Sequence, residues 1–122
     1  MTAVHHPPRV NETSVTPHVI GRRTVLTVAG EIDLDTAPRL TVAIEHALAA
    51  GALDLWIDLS TTEFMDSSGL HVLLEARRAT QQLNRRLAII CPRGFVRRVF
   101  EIAGLADHLP LFDDRASAHR AA

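Results

Sequence analysis

Asp66-Ser67-Ser68-Gly69 sets a carboxylate and two hydroxyls side by side, behind the apolar run 53–59 and the polar step Ser60-Thr61-Thr62-Glu63. A helical pattern begins at once after them. The first turn of a helix has N–H groups without intrahelical partners and the positive end of the macrodipole, so it accepts a carboxylate or a phosphate. A serine there can be a cap, a nucleophile or a phosphorylation site. Asp and Ser are favoured caps, and Gly69 lets the backbone approach the sheet closely. Capping accounts for one of the hydroxyls, and two adjacent ones exceed what a cap requires.

The nucleophile reading needs a base. Gly-x-Ser-x-Gly hydrolases flank the serine with glycines and pair it with a histidine held by a carboxylate, whereas residue 65 here is Met. His46, His71 and His108 are scattered along the chain, and His71 is placed on the serine's helix but on another face. No Cys or His pair has ligand spacing within one element, and His5-His6 lies in an N-terminal arm, so no metal site is expected. The third reading is phosphorylation. A phosphoserine adds about −1.5 to −2 of charge, which a helix N-terminus tolerates, so the modification would disturb a partner and leave the domain intact.

Composition narrows the classes further. The 122 residues suit a single fold, and 47% apolar with 22% charged residues are globular values. No apolar run nears the roughly 18 residues of a membrane span, and the first residues lack a signal-peptide pattern. A cytoplasmic protein with no membrane association is the expectation. A net charge of −1 gives no basic field for nucleic-acid phosphates. The chain contains no lysine, which removes P-loop and Schiff-base chemistry. No cofactor is expected. The lone Cys91 ends an apolar run and reads as a small core hydrophobe. The pairs Arg77-Arg78, Arg85-Arg86 and Arg97-Arg98 read as solvated helix faces and loops.

The elements that must position Ser67 follow from periodicity. Residues 1–14 carry Pro7 and Pro8 without periodicity and read as a flexible arm, residues 15–113 as the domain, and 114–122 as a C-terminal tail, weakly helical or frayed. Strands are expected over 15–20 and 24–29, joined as a hairpin at Gly21-Arg22-Arg23. A loop over 30–35 leads to Thr36 as the cap of a helix over 37–50, with Pro38 in its first turn and Gly51 ending it. A strand over 53–59, a helix over 68–83 and a strand over 87–91 form the next unit. Phe95, Val96, Val99, Phe100 and Ile102 mark a third helix ending at Gly104, and 109–112 a short edge strand. Alternating strands and helices predict an α/β domain: a mixed, mostly parallel sheet backed by helices.

With these elements in place, Phe64-Met65-Asp66-Ser67-Ser68-Gly69-Leu70, Gly30-Glu31-Ile32-Asp33 upstream, and Pro92-Arg93-Gly94-Phe95-Val96-Arg97-Arg98-Val99-Phe100 with Gly104-Leu105 downstream resemble the bacterial anti-sigma-factor antagonists of the STAS domain class. The likeness covers roughly residues 24–112 in consistent order. It implies a regulatory protein without catalytic activity, which binds an anti-sigma factor that is also an ATP-dependent serine kinase, releases a sigma factor, and is switched off by phosphorylation; a phosphatase is a possible further partner. By motif position the phosphoacceptor is Ser67, Asp66 would orient its hydroxyl, and Glu31 and Asp33 would lie in the loop beside it. The family often has Gly where His71 stands. The alternatives are a STAS subunit of a transport or stress-signalling assembly that is never phosphorylated, and, in another class, a hydrolase or weak nucleotidase using Ser67.

Helical geometry adds a candidate surface. At about 100° per residue, Gly69, Val72, Leu73, Ala76, Thr80 and Leu83 share the face expected to pack on the sheet. Leu70 and Leu74 fall on a flank with Arg77 and Arg78. They read either as a docking patch beside Ser67, which with Asp66, Ser68 and Gly69 would contact the partner, or as residues covered by a neighbouring helix.

Overall fold

The computed structural model describes residues 12–122. Residues 1–11, which include most of the expected arm and His5-His6, lie outside them. Five strands form one sheet in the order β1 (Ser14–Ile20), β2 (Arg23–Ile32), β3 (Asp54–Met65), β4 (Arg86–Ile90) and β5 (Leu111–Phe112). β1 pairs antiparallel with β2, and every later pair is parallel. The connections are helices α1 (Ala37–Ala49), α2 (Ser67–Gln82) and α3 (Phe95–Ile102), with α4 (Arg115–Arg120) closing the chain. Parallel neighbours require such crossovers, which explains the strand and helix alternation. This is the mixed, mostly parallel α/β sheet that the periodicity predicts.

The main core lies between the sheet and α1 to α3. Leu26, Val28, Leu55, Ile57 and Ile89 from the strands meet Leu40, Ile44, Leu73, Ala76, Val96 and Phe100 from the helices. A smaller cluster on the opposite face joins Val25, Trp56, Ala88 and Ile90 to Ala118 of α4. The last residues, expected as a weak helix or a frayed end, thus form a helix docked on the sheet. Asp114 supplies the reason: its carboxylate caps α4 by accepting from Ser117 N–H at 2.7 Å, in a reciprocal capping box. Cys91 is buried, as the apolar run predicts, and burial pushes its thiol up to about 11.

Part of the expected loop over 30–35 is strand, and the third strand runs beyond its expected end at residue 59. β2 runs on through Gly30 to Ile32, and β3 continues through Ser60-Thr61-Thr62-Glu63 to Met65. Polar residues persist there because the register slips between Thr27 and Ala29 and again between Gly30 and Glu31, with Gly30 at φ +88°. The hydroxyls of Thr61 and Thr62 both donate to the Val28 carbonyl at 2.9 Å and fill the gap that the slip opens. β4 accompanies β3 only as far as Asp58, so the outer half of β3 leans on β2 alone and carries the site beyond the sheet.

The start of α1 also differs from expectation. Thr36 makes no side-chain cap bond, because its hydroxyl accepts from Asp33 N–H at 2.9 Å and donates to the Glu31 carbonyl at 2.8 Å. The Asp33 carboxylate holds the turn before the helix, accepting from the N–H groups of Asp35 and Thr36 at 3.0 Å each. The arm reading stops short of residue 14: Thr13 is buried, its hydroxyl donates to the Glu31 carbonyl, and Arg39 donates to its carbonyl at 2.9 Å.

Candidate functional site

Two adjacent parallel strands end together and aim both of their following turns at one place. Glu31 pairs with Phe64 and Ile32 with Met65, and Asp66 N–H donates to the Ile32 carbonyl at 3.2 Å. Asp33 and Asp66 therefore leave the sheet at the same level, one starting α1 and the other α2. Of the two acidic residues expected in a loop beside the serine, Glu31 lies in β2, one residue before its end, and Asp33 lies in the turn that leads to α1.

Asp66 is the cap of α2. Its backbone is extended and its carboxylate accepts from Ser68 N–H at 2.8 Å. This use of the carboxylate differs from the expected one, since it orients the helix start and not the Ser67 hydroxyl. Ser67 is the first helical residue, is exposed, and its hydroxyl makes no hydrogen bond among the described residues. Ser68, behind it, is half-buried.

Gly69 fixes how close this turn sits to the sheet. A Cβ at residue 69 would overlap the Met65 side chain, with Sδ only 2.7 Å away and Ile32 Cγ2 at 3.1 Å. Glycine is required by that approach, as its position one turn inside the helix suggests.

The flank expected to carry a docking patch does not. Leu70 is 8% exposed and belongs to the main core together with Val96 and Phe100 of α3, and Leu74 is half-buried against it. Leu83, expected against the sheet, is instead exposed just past the end of α2. The apolar stripe of α2 is thus wider than the face set on the sheet and takes in Leu70 and part of Leu74.

The open flank faces α1. A groove of about 710 Å³ runs between the two helices, lined by Leu34, Ala37, Pro38, Thr41 and Val42 on one side and Ser67, Ser68, His71 and Val72 on the other. Leu34 is 78% exposed and Val42 48%, so apolar side chains stand in solvent directly across from the serine. Both escaped the sequence reading, although a signal exists: Leu34 sits alone between two aspartates, and Val42 falls off the stripe Leu40, Ala43, Ile44, Ala47, Leu48. His71 lies in the same groove as Ser67, not on another face, because four residues along a helix return to nearly the same side. On the far side of the β3 terminus Phe64 stacks on Phe95, with centroids 5.9 Å apart and planes at 23°.

Chemically, the arrangement offers an unbonded hydroxyl on an apolar lip. No carboxylate holds His71 and no cluster of His, Cys, Asp or Glu could hold a metal, among the described residues.

The STAS domain model matches residues 12–118, nearly the whole described chain. The chain belongs to the STAS domain family. An anti-sigma-B factor antagonist of Listeria monocytogenes is 39% identical over 80 residues, covering 66% of this chain and 70% of that one. Among solved structures, an anti-sigma factor antagonist from Mycobacterium paratuberculosis superposes with a TM-score of 0.84 at 28% identity, over 93% of this chain and 96% of the other. The Bacillus cell fate determinant SpoIIAA in its phosphorylated form shares the fold, with a TM-score of 0.67 at 22% identity over 89% and 100% of the two chains. No helix among the described residues is long and apolar enough to cross a membrane.

Proposed function

We propose that this STAS protein is an anti-sigma-factor antagonist: it binds an anti-sigma factor that is also a serine kinase, thereby releases a sigma factor, and is switched off when the kinase phosphorylates Ser67. The observation that carries the reading is the Ser67 hydroxyl, exposed and unbonded at the N-terminus of a capped helix and set on the lip of an apolar groove. The helix end accepts the added charge, so the fold survives, while the groove beside it turns from apolar to anionic and rejects an apolar partner surface. The relatives named above support this reading, being antagonists by name. The protein works in the cytoplasm by binding alone. Catalysis by Ser67 is disfavoured because neither a bonded base nor a metal-ligating cluster accompanies it among the described residues.

The test is to recover the partner from cell extract with the full chain as bait, with and without ATP. One partner retained without ATP and released with it, leaving a single phosphate on Ser67 by peptide mass spectrometry, is the expected result. A phosphate on Ser68, or one still added to Ser67→Ala, overturns the assignment.

A further inference from the structure

Ser67 and His71 are one helical turn apart on α2 and line the same wall of the groove. Side chains four residues apart on a helix have Cβ atoms about 5–6 Å from each other. A phosphoryl group on Ser67 would extend that side chain along the wall that the imidazole shares. Among the described residues that line the groove no other cation stands: α1 and the turn before it supply Leu34, Ala37, Pro38, Thr41 and Val42, and the same turn carries the carboxylates of Asp35 and of Asp33, the latter accepting from the N–H groups of Asp35 and Thr36. The nearby charges on α2 are engaged, Asp66 with Ser68 N–H at 2.8 Å and Glu75 with Arg78 at 3.1 Å.

We propose that His71 is the built-in counter-cation of a phosphate on Ser67, an inference that rests on Ser67 being the modified residue. As imidazolium it donates a charge-assisted hydrogen bond to a phosphoryl oxygen. The second proton of phosphoserine leaves near pH ~6, and an imidazole and a phosphate in contact ionise as a coupled pair. The dianion holds the ring protonated and the ring helps the phosphate lose its last proton. The phosphorylated groove is therefore less negative below the pair's upper transition than above it, which makes rejection of a partner stronger as pH rises.

The test installs phosphoserine at 67 during translation of the full chain, in the native sequence and in His71→Gln, and follows the phosphorus resonance and the histidine ring protons with pH. The phosphate midpoint should lie about half a pH unit or more lower with His71 than with Gln, and the His71 midpoint should rise by a similar amount on phosphorylation. The helix dipole acts equally on both phosphoproteins, so the difference isolates the histidine. Equal phosphate midpoints in the two proteins overturn the proposal. His71→Gln without phosphate should melt at the native temperature, which separates the effect from folding. Because the phosphate is placed without a kinase, a negative result leaves the choice of acceptor serine to the mapping experiment above, and the two failures remain distinct.

Discussion

At Ser67 the cost of adding charge and the benefit of adding it fall on different molecules. The N–H groups of the first turn favour a negative group, while a partner lying over the groove would have to desolvate it. Ser67→Glu should therefore melt at or slightly above the native temperature and bind the anti-sigma factor more weakly by about 2 kcal/mol or more. Calorimetric titration with thermal melts separates the two, and full-strength binding by both Ser67→Glu and the authentic phosphoprotein would rule out a charge switch. Two residues along, Gly69 has the opposite character. Its Cβ-less backbone is pressed against Met65 and Ile32, so Gly69→Ala should lose roughly 1 to 3 kcal/mol through overpacking and shift the start of α2. Urea denaturation measures the loss, and a slower phosphorylation rate at equal folded fraction would report the shift. A Gly69→Ala protein as stable as the native chain would mean that the Met65 thioether yields freely.

At the scale of elements, α2 shows what periodicity reveals and what it leaves open. Val72, Leu73 and Ala76 lie on the sheet as their spacing predicts, and the strand–helix alternation already contains the topology. Helical angles alone do not say which flank meets a neighbour. Leu70 and Leu74 are covered within the main core, while the flank with Ser67 and His71 lines the groove beside α1 and stays open. The strand ends were obscured for a related reason: Ser60 to Glu63 and Gly30 to Ile32 lack apolar alternation because their pairing is irregular, and side-chain hydroxyls replace part of the ladder. The site's core, Asp66 to Gly69, was legible because a cap and a close approach each demand particular residue types. Its opposite wall was not, since Leu34 and Val42 become neighbours of Ser67 only through tertiary packing. From that wall we expect Leu34→Asp or Val42→Asp to weaken partner binding by about 1 to 2 kcal/mol with little change in melting temperature. Leu74→Ala should lower stability before it lowers affinity. Paired titrations and melts decide it, and Asp substitutions that leave affinity untouched would remove the groove from the interface.

Across the whole molecule the two faces of the sheet differ, with Ser67 and its groove on the side of α1 and α2 and a small second core under α4. That second face is fastened by charge as much as by apolar contact. Buried Asp58 accepts from Ser60 N–H at 2.9 Å, from the Ser60 hydroxyl at 2.6 Å and from Arg115 Nε at 2.8 Å, while Arg23 lies 3.9 Å over Trp56, whose ring also meets His119 of α4 edge-on. Burial alone would raise the Asp58 carboxyl, but the Ser60 bonds and the Arg115 guanidinium outweigh it and hold the group below its ordinary value. A lowered folded value means that this stabilisation is fully present above the unfolded value of about 3.9 and is lost as pH falls through the folded one. Arg115→Ala should therefore cost about 1 to 2 kcal/mol at pH 7, the low end for a bond between charged groups because the Arg115 side chain is half exposed, and progressively less as pH falls through the lowered value of Asp58. Fluorescence of Trp56, the chain's single tryptophan, reports the unfolding in urea at each pH. A loss that does not shrink across the acid range in which the native chain itself loses stability would assign the fastening of α4 to Ala118 packing and not to the ion pair. Partner binding by Arg115→Ala, measured where the protein is fully folded, should match the native chain, because the groove lies on the other side of the sheet.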